Sequence, residues 1–526
     1  MIVVVGSGPA GIACSWALAE RGHEVTILDA GRGPDPEIAR KYEPLSTAEP
    51  EDWDPALVEE LRGEFLVNRD ELPPKPVLGS LHPYAPSDPS APAEGSGVGL
   101  TPSLGRGGLS AVWGAAMLPY RERDLVDWPL SVDELAPFYR SVLNFMPVAG
   151  RRDRLESEFP LYTEELEDLK PTAQIRAFLS DLERGAARLD AAGLTAGRAR
   201  LAVRTANSAY GQGCRRVGLC LHGCPLGAIW SAEQSLAELR SRWGVRYLPG
   251  RYVERVEESS TGASVTVRTA GGLEEVSAER VFVGAGALPT TRLMLRSLDA
   301  KGIPVELYDS QYYTFPLIRA KGSPVSVETQ GNTLAQAFVE VNGLKDTRDS
   351  AHLQVYGFND LMLREIAAMI HMPPRAAARF LRPVLSRILF CQGYLHSERS
   401  RSIQAVMDDS GPEAPLRLSP LGSEELVKRK VKMVVNRVRK SSLALRATPL
   451  PQLLRVWEPG RGIHTGGSFP MRTKPTGLEC DLLGRPAGLR RIHLVDSSVF
   501  PSIPPTTITY TVMANAQRIV AEFSQV

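Results

Sequence analysis

The opening stretch MIVVVGSGPAGIACSWALAERGHEVTILDA constrains the fold more than any other part of the chain. Ile2 to Val5 is a β-branched run closed by glycine, which predicts a buried parallel strand. Gly6, Gly8 and Gly11 follow with the spacing G-x-G-x-x-G. At such a strand-to-helix turn the first glycine permits the tight bend and the second admits a pyrophosphate to the backbone. The third lets the helix pack on the strand. A helix from Pro9 to Arg21 would aim its N-terminal N–H groups and positive dipole end at that pyrophosphate. A second strand, Glu24 to Leu28, ends in Asp29, placed to accept hydrogen bonds from an adenosine ribose. Strand, helix, strand and acid in this order predict dinucleotide binding. An ordinary strand–turn–helix would leave three glycines and Asp29 without a purpose.

The length, 526 residues, exceeds one simple core and suggests several units or two large discontinuous domains. A net charge of +1 argues against a nucleic-acid binder. No apolar run reaches the length of a membrane span. With the first strand starting at residue 2 and no room for a signal peptide, cytoplasmic synthesis is expected, with a peripheral membrane location or carriage by a signal-bearing partner as alternatives.

Glu49 to Glu71 is acidic, and the proline- and serine-rich Leu72 to Gly95 reads as extended surface connection. Next comes LGRGGLSAVWGAAMLPY, where Gly105, Gly107 and Gly108 precede Ser110 and Trp113. Such a loop has few side chains to hold a flat ligand off its backbone. Ser131 to Phe145 and Gln174 to Ala192 have helical periodicity, and Arg246 to Val283 reads as a three-stranded meander. Its last strand runs into Gly284 and Gly286 and then a helix, repeating the opening logic.

Farther on, Gln392, Tyr394 and His396 alternate onto one strand face, as do Gln354, Tyr356 and Phe358. The usual one-sided antiparallel pattern favours a solvated face. The functional alternative is a pocket wall for a polyhydroxyl substrate. Two basic helical segments, Arg375 to Phe390 and Glu424 to Arg455, read either as core-facing helices with solvated charges or as a membrane or partner docking patch.

Cys214, Cys220 and Cys224 form C-x5-C-x3-C in a glycine-rich loop, followed by Pro225. Three thiolates so placed can ligate an iron–sulfur cluster, and three rather than four point to three irons. Zinc with His222 as fourth ligand, or plain buried thiols, are the other readings.

The C-terminal blocks RGIHTGGSFPM and LRRIHLVDSSVFPSIPPTTITYTVMANAQRIV make a resemblance specific. With the opening fingerprint, GRGGLSAVWG and GAGALPTTRLML, the chain resembles the glucose–methanol–choline family of FAD-dependent alcohol oxidoreductases. These blocks cover about a third of the chain. The resemblance implies an α/β fold: a Rossmann-like FAD-binding domain from 1–120, 205–300 and 460–526. An α+β substrate domain with an antiparallel sheet would take 121–204 and 301–459.

It also implies a catalytic histidine at His464. Alcohol oxidation removes the hydroxyl proton as hydride leaves carbon, and a neutral imidazole is a natural base for that. The family's second His or Asn falls at Thr507, with Thr506 the neighbouring register. Threonine can donate a hydrogen bond but cannot act as a base, so His464 would carry the acid–base work alone. Gly6, Gly8, Gly11, Asp29, Gly107, Gly108, Ser110, Trp113, Gly286, Asp496 and Thr509 are the expected FAD contacts. For Asp496 the alternative is a turn-stabilising role. The cysteine spacing is similar to that of bacterial FAD-dependent glucose and fructose dehydrogenase catalytic subunits, which implies a 3Fe-4S cluster. The expected activity is oxidation of a sugar-like or other polar alcohol, with electrons leaving through the cluster to an external acceptor or electron-transfer subunit. An oxidase making hydrogen peroxide is the alternative, and a flavin-binding membrane-associated subunit without turnover a further one.

Overall fold

The computed structural model describes residues 1–63, 75–84, 93–323, 331–342, 346–359, 362–363, 367, 371–408 and 414–524. Glu64, Asp70 and Glu71 of the acidic stretch, and residues 72–74 and 85–92 of the proline–serine connection, lie outside the described residues. All four residues of the strand Ile2–Val5 are buried, as a run apolar on both faces requires. It lies at the centre of a five-stranded parallel sheet. Arg280–Val283 and Ile492–Leu494 lie on one side of it, Val25–Leu28 and Arg246–Leu248 on the other. Val5 stands opposite both Leu28 and Val283, so three strands end level and their turns emerge along one edge. Residues hundreds of positions apart in sequence thereby share one binding edge.

The helix Pro9–Glu20 starts with proline in its first turn, where the missing N–H costs nothing. It is buried from Ala10 to Ala19, enclosed by the sheet and by the C-terminal helix Thr509–Phe523. The helix Val132–Val142 is fixed by a Ser131/Glu134 capping box, and Ala173–Ala191 is capped by Thr172. The meander forms a separate antiparallel sheet of Tyr252–Glu258, Ala263–Thr269 and Gly272–Ala278.

A second large sheet is antiparallel, with strands Ala447–Pro449, Tyr312–Arg319, Ile388–Leu395, Ala351–Tyr356, Ala337–Val341 and Leu194–Arg198 in that order. Tyr313, Phe315, Leu317, Leu353, Val355, Leu389 and Cys391 point to one face. There they meet Ile175, Phe178 and Leu182 of one helix and five valines of the helix Glu424–Lys440. Tyr312, Thr314, Gln354, Tyr356, Phe390, Gln392 and Tyr394 point to the other face and line a cavity against the parallel sheet. The polar face is therefore walled in rather than solvated, because both sides of this sheet are covered. His396 falls just past the strand end, where its ring accepts from the Glu398 N–H, and it stays out of the cavity. Phe358 joins a small satellite core with Leu363, Ala367, Ala377 and Leu385.

The basic segments resolve differently from their sequence patterns. Glu424–Lys440 is a core-facing helix, followed by the short helix Ser442–Leu445 and strands Ala447–Pro449 and Arg455–Val456. Pro374–Leu385 is helical, but Ile388, Leu389 and Phe390 belong to the wall strand. Among the described residues no helix is long and apolar enough to cross a membrane.

Candidate active site

A cavity of about 1460 Å³ runs between the two large sheets, from Gly6 and Asp29 past His464 to Met362 and Leu453. That exceeds the ~300–1000 Å³ of ordinary small-molecule sites and leaves room for a dinucleotide and a substrate together.

Its narrow end is made of backbone. Gly6 has φ +94°, and a β-carbon there would lie 2.7 Å from the Gly284 carbonyl oxygen. A β-carbon on Gly11 would collide with the Gly6 carbonyl, so Gly11 sets the helix–strand approach and does not line the cavity. Gly8 does line it, and no protein atom lies within 4 Å of where its β-carbon would be. The space beyond Gly8 is thus a cradle that a methyl group would enter. Gly8→Ala should leave the fold intact, since nothing in the protein is displaced, yet abolish flavin retention by pushing a methyl into the pyrophosphate path. The ratio of flavin to protein absorbance in the purified variant checks this, and full occupancy would refute the placement.

Asp29 is buried at the end of its strand, where Oδ2 accepts from the Ser7 hydroxyl and from Tyr247 at 2.9 Å. Burial pushes its carboxyl up, while these bonds and the Ser7 and Gly31 backbone pull it back. Ser7 Oγ also accepts the Gly107 N–H at 2.9 Å, tying the glycine loop to the fingerprint turn. Gly107 itself, in left-handed backbone at φ +78°, does not line the cavity. Gly108, Ser110 and Trp113 do. Ser110 donates to the Gly107 carbonyl at 2.6 Å and accepts from Ala232 N–H at 2.9 Å, while Trp113 donates to the Trp230 carbonyl at 2.9 Å. Gly286 and Asp496 meet at the cavity edge. Asp496 accepts from Gly286 N–H at 2.8 Å, Thr290 Oγ1 at 2.5 Å and Ser498 N–H at 2.9 Å. Asp496 both stabilises its turn and faces the cavity.

His464 is held from several sides. The residues after it, Thr465–Gly466, pair with Tyr308 and Asp309, and a side chain on Gly466 would collide with Ser497. The residue before it, Ile463, has φ +57°, which for a β-branched side chain is a strained conformation costing about 1–3 kcal/mol. The imidazole stacks on Tyr394 with centroids 4.5 Å apart. Nδ1 is buried without a partner while the ring lines the cavity, which turns Nε2 toward the open space. Burial, with repulsion from His352, pushes this histidine down to about 3, so the ring is neutral at physiological pH. Thr507 lines the cavity and its Oγ1 accepts from Leu118 N–H at 3.1 Å, leaving the hydroxyl hydrogen to donate. Thr506 is fully buried and does not line the cavity. Thr509 and Val512 bring the N-terminus of the last helix to the same spot.

Behind Tyr394 lies a buried charged row that the sequence reading missed. His352 stands opposite Tyr394 on one side and Glu340 on the other, and its Nδ1 bonds Glu340 Oε1. Arg121 reaches Glu340 Oε2 at 3.2 Å and Asp124 Oδ2 at 2.8 Å. The alternation His352, Gln354, Tyr356 was the available signal. Asp309, also missed, is buried with its carboxyl pushed up to about 7 by that burial, opposed by the Gly460 N–H.

Cys214, Cys220 and Cys224 are free thiols, and among the described residues no three His, Cys, Asp or Glu side chains are arranged to hold a metal ion. Cys220 Sγ faces Asn332 Oδ1 at 3.8 Å, and Cys224 sits among the N–H groups of Leu226, Ala228 and Ile229. Cys214 lies within electrostatic reach of Cys220 and Cys224, and Cys224 of Cys220, so the three thiols sit together in one loop. Neither the expected 3Fe-4S cluster nor zinc with His222 is shown by this arrangement. Lys75, beside Cys220 and Cys224, donates to the Trp113 carbonyl at 2.8 Å and is pushed down to about 8 by burial.

The family model of an NAD(P)-binding Rossmann-like domain matches residues 4–35. No curated protein matches the chain. Among solved structures it is similar to pyridoxine 4-oxidase from Mesorbium loti, with TM-score 0.60 at 17% identity over 100% of this chain and 99% of that one. It is likewise similar to formate oxidase from Aspergillus oryzae RIB40, in a structure concerned with FAD modification, with TM-score 0.60 at 14% identity over 100% and 98% of the two chains. These likenesses establish the fold over the whole chain: a Rossmann-like domain joined to an antiparallel-sheet layer, with the cavity between them.

Proposed function

We propose that this chain is an FAD-dependent oxidoreductase of the glucose–methanol–choline type that oxidises a CH–OH group and passes the electrons to dioxygen. The observation that carries the reading is His464, neutral and facing the cavity between the backbone cradle and the polar wall. Bound FAD would supply the hydride acceptor, its pyrophosphate at Gly8 and its ribose at Asp29. His464 Nε2 takes the hydroxyl proton while Thr507 donates a hydrogen bond to the same oxygen. The N-terminus of the last helix lays its positive end against the negative charge that develops.

Gln354 and Gln392 both accept from the Tyr356 hydroxyl, at 3.2 and 3.0 Å, which leaves their amide N–H groups to donate to substrate oxygens. Tyr312, Tyr394 and Trp457 offer flat apolar faces, and Arg455 and Arg461 add positive charge. Among the described lining residues the only acids are Asp29 and Asp496, both at the cofactor end. The wall therefore suits a neutral or anionic alcohol carried on a ring, a sugar derivative or a hydroxymethyl-substituted aromatic. The pyridoxine 4-oxidase likeness supports the second. The likenesses to two oxidases favour the oxidase reading over exit through a cluster. The test is anaerobic mixing of the yellow protein with a panel of such alcohols. Bleaching of the flavin, peroxide formation on admitting air and absence of iron are the expected results. No bleaching would favour a subunit without turnover, and stoichiometric iron would restore the dehydrogenase with an external acceptor.

A further inference from the structure

We infer that the face formed by the helix Pro374–Leu385 and the short helix Ser442–Leu445 docks on an anionic lipid bilayer. Three large apolar side chains protrude there, with Phe380 72%, Val384 46% and Leu443 88% exposed. Backbone bonds bring the two helices to one edge. Ser323 N–H donates to Ser386 at 3.0 Å, Arg319 N–H to Arg387 at 2.8 Å and Ala320 N–H to Arg446 at 3.0 Å. The end of one helix and the residue after the other thus flank a single turn.

The charge around these tips is mostly positive, with Glu183 an exposed acid on the neighbouring helix Ala173–Ala191. From Ala367 to His396 the sequence has four arginines and no acid, and from Leu426 to Trp457 it has nine Lys or Arg and no acid. Lys321, Arg379, Arg439, Lys440 and Arg446 are exposed. Asp181, under the turn, is paired with Arg319 at 2.7 Å and with Arg184. Apolar tips ringed by cations fit a surface that is negative at its headgroups and apolar below them. The same charge repels a second copy of this chain. The cavity mouth opens alongside: Leu453 lines it and is 59% exposed, and Leu450 N–H donates to Pro316 on the wall strand at 3.0 Å. Docking would set that mouth near the lipid interface; this consequence rests on the proposed function, whereas docking itself does not.

The experiment is sedimentation of the full-length purified protein with vesicles of phosphatidylcholine alone or mixed with phosphatidylglycerol. Binding should be at least about tenfold stronger to the mixed vesicles and should weaken with salt. The variant Phe380→Asp/Val384→Asp/Leu443→Asp should lose it, and so should Arg379→Glu/Arg446→Glu. Leu421→Asp, at an apolar site exposed elsewhere (42%), should bind as the parent does. Equal recovery on neutral and anionic vesicles, or unchanged binding by the triple variant, overturns the inference. Absence of vesicle binding together with capture of an acidic protein overturns it too. Because the readout is binding, it stands or falls separately from alcohol oxidation.

Discussion

His464→Ala should slow alcohol oxidation by about a hundredfold to ten-thousandfold, the range for losing a general base, while FAD stays bound. The cradle at Gly6, Gly8 and Asp29 is built from the opening turn and the end of the second strand, and the hydrogen bonds of Asp29 do not involve this ring. Thr507→Ala should cost less, since its hydroxyl contributes one hydrogen bond and no proton acceptor. Anaerobic flavin reduction rates measure both, and a larger loss at Thr507 would reverse the two roles. The pH dependence has a definite sign. Burial holds His464 near 3, so the acid limb of kcat/KM due to this group should fall well below the ~6.5 of a free histidine. Folding follows the same linkage. Below ~6.5 the unfolded chain binds a proton at this position that the folded chain refuses, so stability declines as the pH drops toward 3. An acid limb near 6.5 would mean that the ring is solvated in the working enzyme.

The fingerprint could be read from sequence because its chemistry is local. Three glycines and an acid at fixed spacing serve one turn, and the turn has one geometry. The C-terminal blocks were legible for the same reason, since His464 and Thr507 sit in short runs whose glycine, proline and threonine content restricts the backbone. What stayed hidden depends on pairing between distant strands. His352 looked like part of an alternating strand, and nothing near it in sequence announces that Glu340 and Tyr394 stand on either side. The Gln354/Gln392 face read as solvated because alternation reports which residues share a face, not what covers it. The cysteine loop is a different case. Its spacing permits a cluster, and spacing alone does not say whether the three neighbouring thiols hold one.

Removing Glu340 should be among the most destabilising single changes in the protein. Its carboxylate is fully buried between His352 and Arg121, and both of its oxygens are used. Burial alone would push this carboxyl up, but His352 and Arg121 together hold it below the usual range. Glu340→Ala leaves the Arg121 guanidinium and the His352 ring buried without their shared partner, a loss expected at about 3–5 kcal/mol. Denaturant unfolding midpoints at neutral pH measure it, and a cost under about 1 kcal/mol would show that the row relaxes or hydrates freely. Replacing the pair, as in Glu340→Leu/His352→Leu, should recover part of the loss because no buried ring is left without its partner. The lowered carboxyl also fixes the acid behaviour. Its contribution is present above the ~4.3 of an unfolded glutamate and disappears as the pH falls through the lower folded value, so Glu340→Gln should lose its deficit relative to the parent in that range. The row matters to chemistry through Tyr394, whose ring lies between His352 and the imidazole of His464 in the order of contacts. Glu340→Gln, which keeps the side-chain shape, should therefore lower the flavin reduction rate less than His464→Ala does, and more than a substitution at the exposed Leu421.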